Sequence, residues 1–206
     1  MNSLNIGFNE KLEKKLNFII EIDKVKNIFR KSKLFDNSRF ENDAEHSWTI
    51  CIMAILLKEY SNFPVNLEKV ISMLLIHDIV EIDAGDTFMY SNKRNVVKNE
   101  EKKAAERIFG LLDETQKKYF INIWEEFEER KTNEAKFAAV FDRLEPLLQN
   151  FTLEGYAWKK YNITYEMIIE KNKHIQEASN EIWEFVLKIL EEAIKKGYLK
   201  KGQTSA

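Results

Sequence analysis

Across 206 residues the chain carries only six glycines and two prolines. A fold built from many tight turns needs those residues repeatedly, so their scarcity favours long helices over a many-stranded β architecture. Hydrophobic spacing agrees. Residues 9–33 place Leu12, Leu16, Ile19, Ile20, Ile22, Val25, Ile28 and Phe29 at mostly helical intervals, with a break near Asp23. The polar run "DNSRFEND" (36–43) reads as a loop ending in helix caps, Asn42 and Asp43, before a second helix over about 43–60. Asn66 caps a third, over about 67–82, which Gly85 stops. Residues 86–99 read as irregular, and amphipathic helices follow at 99–112 and 114–130. A helix at 133–151 is apolar on several sides and contains Pro146, a kink or a break. A long final helix spans about 164–196 and ends at Gly197, leaving "KKGQTSA" as a frayed tail. The expectation is one all-α domain over residues 1–206, with its core at about 12–190.

Composition excludes several classes. Charged residues make up 32% of the chain, yet the formal net charge is −2, which argues against a nucleic-acid protein driven by a basic field. The longest apolar runs, such as "ICIMAILL", fall far short of the roughly 20 residues a membrane span requires. The N-terminus lacks the pattern of a signal peptide, and the single cysteine, Cys51, sits among apolar neighbours with no basic partner. These features predict a cytoplasmic protein with no redox nucleophile. Trp124, Phe127, Trp183 and Phe185 read as core or dimer interface rather than as a stacking platform.

Against this apolar background, "LLIHDIVEIDAGD" (74–86) is anomalous. Its aliphatic residues mark a buried element, yet His77 and Asp78 interrupt it, and burying an ionised carboxylate costs several kcal/mol unless something compensates it. Adjacent helical residues point about 100° apart and can grip one ion from two sides, while Glu81 follows at i+3 and i+4 on the same face. His46 lies just inside the second helix, and Asp142 interrupts "FAAVFDRLEPLL", where pairing with Arg143 explains it equally well taken alone. His174, flanked by charge, reads as a solvated surface residue. Together His46, His77, Asp78 and Asp142 offer two imidazoles and two carboxylates. That set suits Mn²⁺, Fe²⁺, Co²⁺, Ni²⁺ or Zn²⁺, with Mg²⁺ less natural, and leaves coordination positions open, as a catalytic site requires.

The order H…HD…D resembles the HD-domain superfamily of metal-dependent phosphohydrolases. The blocks "RFENDAEHSWTICIMAILL", "LLIHDIVEIDAGD" and "FDRLEPLLQN" are similar to its small 5′-deoxynucleotidase-like branch. The resemblance implies that His46, His77, Asp78 and Asp142 hold a divalent cation. It implies that Glu81 and Asp86 are catalytic, as base, water-orienting groups or ligands of a second cation. It also implies that an upstream arginine, Arg30 or alternatively Arg39, orients the substrate phosphate. Independently of the resemblance, Gly85 lets the chain turn sharply, which either simply ends the helix or folds Asp86 and Thr87 back over the metal. The expected reaction is hydrolysis of a deoxynucleoside 5′-monophosphate by metal-activated water, in a homodimer. Rival readings are hydrolysis of an alarmone or another nucleotide phosphate, an oxygenase, and a non-catalytic metal or nucleotide sensor. Ile82 after Glu81 counts against the alarmone class, the shortage of histidines against an oxygenase, and the presence of both Glu81 and Asp86 against a sensor.

Overall fold

The computed structural model of the chain describes residues 4–90 and 94–202. The predicted frayed tail therefore falls mostly outside the described residues, as do residues 91–93 of the segment expected to be irregular. The first helix, α1 (Glu10–Ile22), is capped by the Asn9 side chain and runs into a 3₁₀ turn at Asp23–Asn27, where the break was expected. The chain then departs from helix. Phe29–Lys33 forms β1, paired antiparallel with β2 (Phe40–Asn42), and Asn37 supplies the left-handed residue of the connection at φ 63°. This corrects the helical reading of residues 29–33. Its consequence is visible at Phe29, which is 53% exposed, while Arg30 on the alternate face turns inward.

Asn42, not Asp43, caps α2 (Asp43–Leu56), in a reciprocal capping box with Glu45. Asp43 is the first helical residue and is fully buried. Helix α3 (Leu67–Ile76), capped by Asn66, tightens into a 3₁₀ turn at His77–Val80 and continues as the short α4 (Glu81–Ala84). Gly85 ends it at φ 74°, a conformation that glycine adopts without a steric penalty. Helix α5 (Arg94–Phe109) begins five residues earlier than expected, and α6 (Glu114–Glu129) follows.

The centre of the bundle is α7 (Asn133–Thr152), which continues through Pro146. Ala135, Phe137, Ala138, Ala139, Val140, Phe141, Leu144 and Leu147 are all buried, as befits a helix packed on every side, and α2, α3 and α6 lie against it. A short α8 (Tyr156–Lys160) follows. The predicted long final helix is three: α9 (Tyr165–Asn172), α10 (Ile175–Ala178) and α11 (Asn180–Lys195). Ser179 is the reason for the last break, since its extended backbone and side chain cap α11 instead of continuing α10. Folding back in this way half-buries His174, whose Nε2 is enclosed without a partner, and burial followed by Arg130 and Arg143 pushes its pKa down to about 4. The surface assignment of His174 is thereby corrected. Of the aromatic residues, Trp124, Phe127 and Trp183 are core and Phe185 is 53% exposed. Among the described residues no helix is long and apolar enough to cross a membrane.

Candidate metal centre

Helices α2, α3 and α7 meet where the polar intrusions lie. His46 comes from the first turn of α2, His77 and Asp78 from the 3₁₀ turn after α3, and Asp142 from the middle of α7; all four are buried. One ligand atom each from His46, His77 and Asp142 lies within 4.8 Å of the others. His46 Nε2 is 3.3 Å from Asp142 Oδ1, and His77 Nε2 is 3.1 Å from Asp78 Oδ1 and 3.9 Å from Asp142 Oδ1. The His77 ring packs on Phe127 of α6, with centroids 4.9 Å apart, and its Nδ1 donates to the Leu74 carbonyl at 2.9 Å. That bond selects the tautomer in which Nε2 keeps a lone pair turned toward the carboxylates.

Arg30 threads into the same place from β1. Its Nη1 donates to Asp78 Oδ2 at 3.0 Å and lies 3.6 Å from Asp43 Oδ1, with Nη2 3.9 Å from Asp142 Oδ1. Burial works against its charge, but Asp78, Asp142, Asp86 and Asp43 outweigh it and hold the guanidinium firmly protonated. The Arg143 alternative is also realised, with Nη2 3.5 Å from Asp142 Oδ2. It engages one oxygen of Asp142 and leaves the other facing the imidazoles.

Even so, acid exceeds base here. Burial, then the charges of Asp78, Asp86 and Asp43, pushes the Glu81 carboxyl up to about 11. Burial and Asp78 raise Asp43 to about 8, and burial is likewise the first cause of the upward shift at Asp86. Asp78 itself is held down at about 2, because His77 and then Arg30 overcome its desolvation. Both carboxylate oxygens of Asp43, Glu81 Oε2 and His77 Nε2 are buried without hydrogen-bond partners. Paired imidazole and carboxylate donors with orphaned lone pairs fit a divalent transition-metal cation, which would satisfy several of them at once.

The centre opens into a cavity of about 200 Å³. Asp78, Glu81, Asp86, Thr87, Asp142 and Arg30 line its acidic end, and Phe88, Tyr90, Trp158 and Asn172 are among the residues that line the rest, together with the basic Arg130 and Arg143. The bend at Gly85 thus carries Asp86 and Thr87 to the wall. Arg39 is not brought there: it is half-exposed and gripped by both oxygens of Glu45, the N3 residue of the α2 capping box. Sequence reasoning missed Glu41, Asp43 and Glu145, all buried within this cluster. For Glu145 a signal existed, since it lies at i+3 from Asp142 in the same apolar helix.

A helical bundle that gathers H…HD…D from three helices around one centre defines an HD-domain protein, and the chain belongs to that family: a model of the HD domain matches residues 22–183. A solved structure described as a predicted metal-dependent phosphohydrolase from Magnetospirillum magnetotacticum MS-1 is 44% identical. It superposes with a TM-score of 0.90 over 93% of this chain and 96% of that one. The 5′-deoxynucleotidase HDDC2 of Danio rerio is 30% identical over 140 residues, covering 67% of this chain and 68% of the relative. The human 5′-deoxynucleotidase HDDC2 is 29% identical over 136 residues, 65% of each chain.

Proposed function

We propose that the chain is a metal-dependent 5′-nucleotidase that converts deoxynucleoside 5′-monophosphates to deoxynucleoside and phosphate. The observation that carries this reading is the convergence of His46, His77, Asp78 and Asp142 at the acidic end of a cavity, beside an orphaned carboxyl of Glu81. Similarity to 5′-deoxynucleotidases supports the substrate class. The four residues would hold the cation, and their mixed nitrogen and oxygen donors suit Mn²⁺, Fe²⁺, Co²⁺, Ni²⁺ or Zn²⁺. Such an ion supplies Lewis acidity and lowers the pKa of water.

The chain's own groups do the remainder. Arg30, already directed at the carboxylates of the centre, forms two parallel hydrogen bonds to the phosphate in exchange for part of its acidic company. Glu81, ionised once a cation offsets Asp78 and Asp43, accepts the proton of the attacking water, and Asp86 with Thr87 orients that water and the phosphate. Positioning and charge neutralisation are what phosphoryl transfer chiefly demands. The exposed apolar stripe of Trp48, Ile52, Ile55 and Leu56 on α2 supports a homodimer. The lone cysteine, with burial raising its thiol to about 11, is in keeping with a cytoplasmic protein.

A phosphate-release screen of ribo- and deoxyribonucleotides with Mn²⁺, Co²⁺, Mg²⁺ and Zn²⁺ tests the proposal. The expected result is metal-dependent release from deoxynucleoside monophosphates. Release confined to nucleoside polyphosphates, or none with any metal, refutes it.

A further inference from the structure

We infer that Glu145 is the positioning residue of the metal centre, locking the His46 imidazole so that Nδ1 carries the proton and Nε2 faces the cation. The inference rests on the reading of His46 as a metal ligand. One helix supplies a carboxylate for each nitrogen of that ring. Asp142 Oδ1 stands 3.3 Å from Nε2, and Glu145 Oε2, one turn further along α7, makes a direct hydrogen bond to Nδ1. Residues three apart on a helix share a face, so the two carboxylates bracket the imidazole from the same wall.

The need for such a lock follows from burial. His46 and Glu145 are both 0% exposed, so no solvent donor or acceptor is at hand to correct a wrong tautomer or a flipped ring. With the proton on Nε2, the ligand lone pair would be lost. His77 meets the same requirement through its own backbone, donating from Nδ1 to the Leu74 carbonyl. His46 meets it with a side chain from another helix, which makes the device removable by mutation. Structure alone gives poor reason for a carboxylate here: Glu145 Oε1 has no partner, and an ion pair sealed in an apolar interior is often no more stable than the apolar residues that could replace it.

Glu41 makes the arrangement asymmetric. Its Oε2 lies 3.8 Å from His46 Nδ1, while its Oε1 accepts from Gln149 Nε2 at 2.9 Å. Glu41, His46 and Glu145 could on their own surround a cation. The direct Nδ1–Glu145 hydrogen bond and the near-complete burial of all three favour the proton-holding arrangement instead.

The test uses the full chain stripped of metal by chelation, with folding checked by circular dichroism and Mn²⁺ binding measured by calorimetry. Glu145→Ala is expected to weaken Mn²⁺ binding by about 10–100-fold, the usual effect of losing such an orienting partner. Glu145→Gln keeps the shape and an acceptor, so it is expected to recover most of that loss. It also decides the matter if Glu145→Ala does not fold, because the Zn²⁺-loaded protein should then retain a low-field Nδ1–H proton signal for His46. Wild-type Mn²⁺ affinity in Glu145→Ala, or a Zn²⁺-loaded His46 bound through Nδ1, overturns the inference. A second Mn²⁺ equivalent abolished by Glu41→Gln also overturns it. His46→Ala separates the two levels: if it binds Mn²⁺ like wild type, the ligand assignment itself fails. If it loses the metal while both Glu145 variants keep it, only the positioning role fails.

Discussion

Asp43→Asn should stabilise the metal-free protein and weaken the metal-loaded one. Asp43 is fully buried, both of its oxygens lack hydrogen-bond partners, and its nearest cation is Arg30 at 3.6 Å. Burial, then Asp78, displaces its titration from 3.8 to about 8. A folded-state pKa above the unfolded value means that stability present below about pH 4 is lost as pH rises toward 8. At about 1.4 kcal/mol per tenfold change, the ceiling on that loss is about 6 kcal/mol at pH 8. Two effects reduce it. Asp78 and Asp86 raise Asp43, and Asp43 in turn raises Glu81, so removing one charge relieves a burden that is shared. The new amide also remains buried without full partners, at a cost of about 1–3 kcal/mol. A net gain of about 1–2 kcal/mol remains, equivalent to a rise of roughly 3–6 °C in Tm for a chain of this size. With Mn²⁺ in excess the order should reverse or the gap close, because weaker binding contributes less linkage stabilisation. Differential scanning fluorimetry at pH 8, with chelator and with Mn²⁺, reads both arms. A lower Tm in chelator would refute the view that acid is in surplus at this centre.

The remaining predictions concern chemistry and pH. Asp78→Ala should lose bound metal and activity together, measured by metal analysis beside phosphate release. Glu81→Ala should keep at least one metal ion but lose about 10²–10⁴-fold in turnover, the usual worth of a general base; full activity on every monophosphate would move that role to Asp86. Arg30→Ala should retain metal and impair both KM and kcat, since the phosphate contact persists into the transition state. Because Glu81 near 11, His46 near 9 and Asp43 near 8 hold protons that a cation must displace, Mn²⁺ affinity should rise from pH 6 to pH 8 with measurable proton release. An affinity that does not change with pH would contradict the raised titrations.

The parts of the site legible in the sequence are those where a polar residue breaks an apolar helical pattern. His77 and Asp78 stand out in this way, because nothing in their neighbourhood gives a simpler reason for them, whereas Asp142 stands out only beside them, since Arg143 can pair with it. Asp43 and Glu41 do not, because each has an ordinary explanation on the chain, and Arg30 is reached only through the family resemblance. Asp43 follows a loop and reads as a cap, although Asn42 holds that place and turns Asp43 inward. Glu41 and Arg30 sit in short charged stretches whose inward direction is set by pairing of β1 with β2, and strand pairing joins segments that local periodicity treats separately. The same limit explains the final helices: the period of 3.6 continues across Ser179, and only the cap it forms with the Ile182 amide ends one helix and begins the next.

The 3₁₀ turn at His77–Val80 shows what the fold adds to the motif. In a regular α-helix Asp78 and Glu81 would be offset around the axis by about 60°. Glu81, which caps the turn, donates its amide back to the Asp78 carbonyl, and a repeat of three residues per turn brings the two side chains toward eclipse. Asp78 is accordingly the foremost charge, after burial, in raising Glu81. The eclipsed pair is unfavourable alone, and 3₁₀ hydrogen bonds are poorer than α-helical ones. Ile79 and Val80, both in the hydrophobic core, hold the turn in place, so apolar packing on one side maintains electrostatic crowding on the other. A cation shared by the centre would turn that crowding into attraction. On the proposed reading of Glu81 as proton acceptor, the tightened turn would link cation binding to its ionisation, and so ready it only in the loaded site.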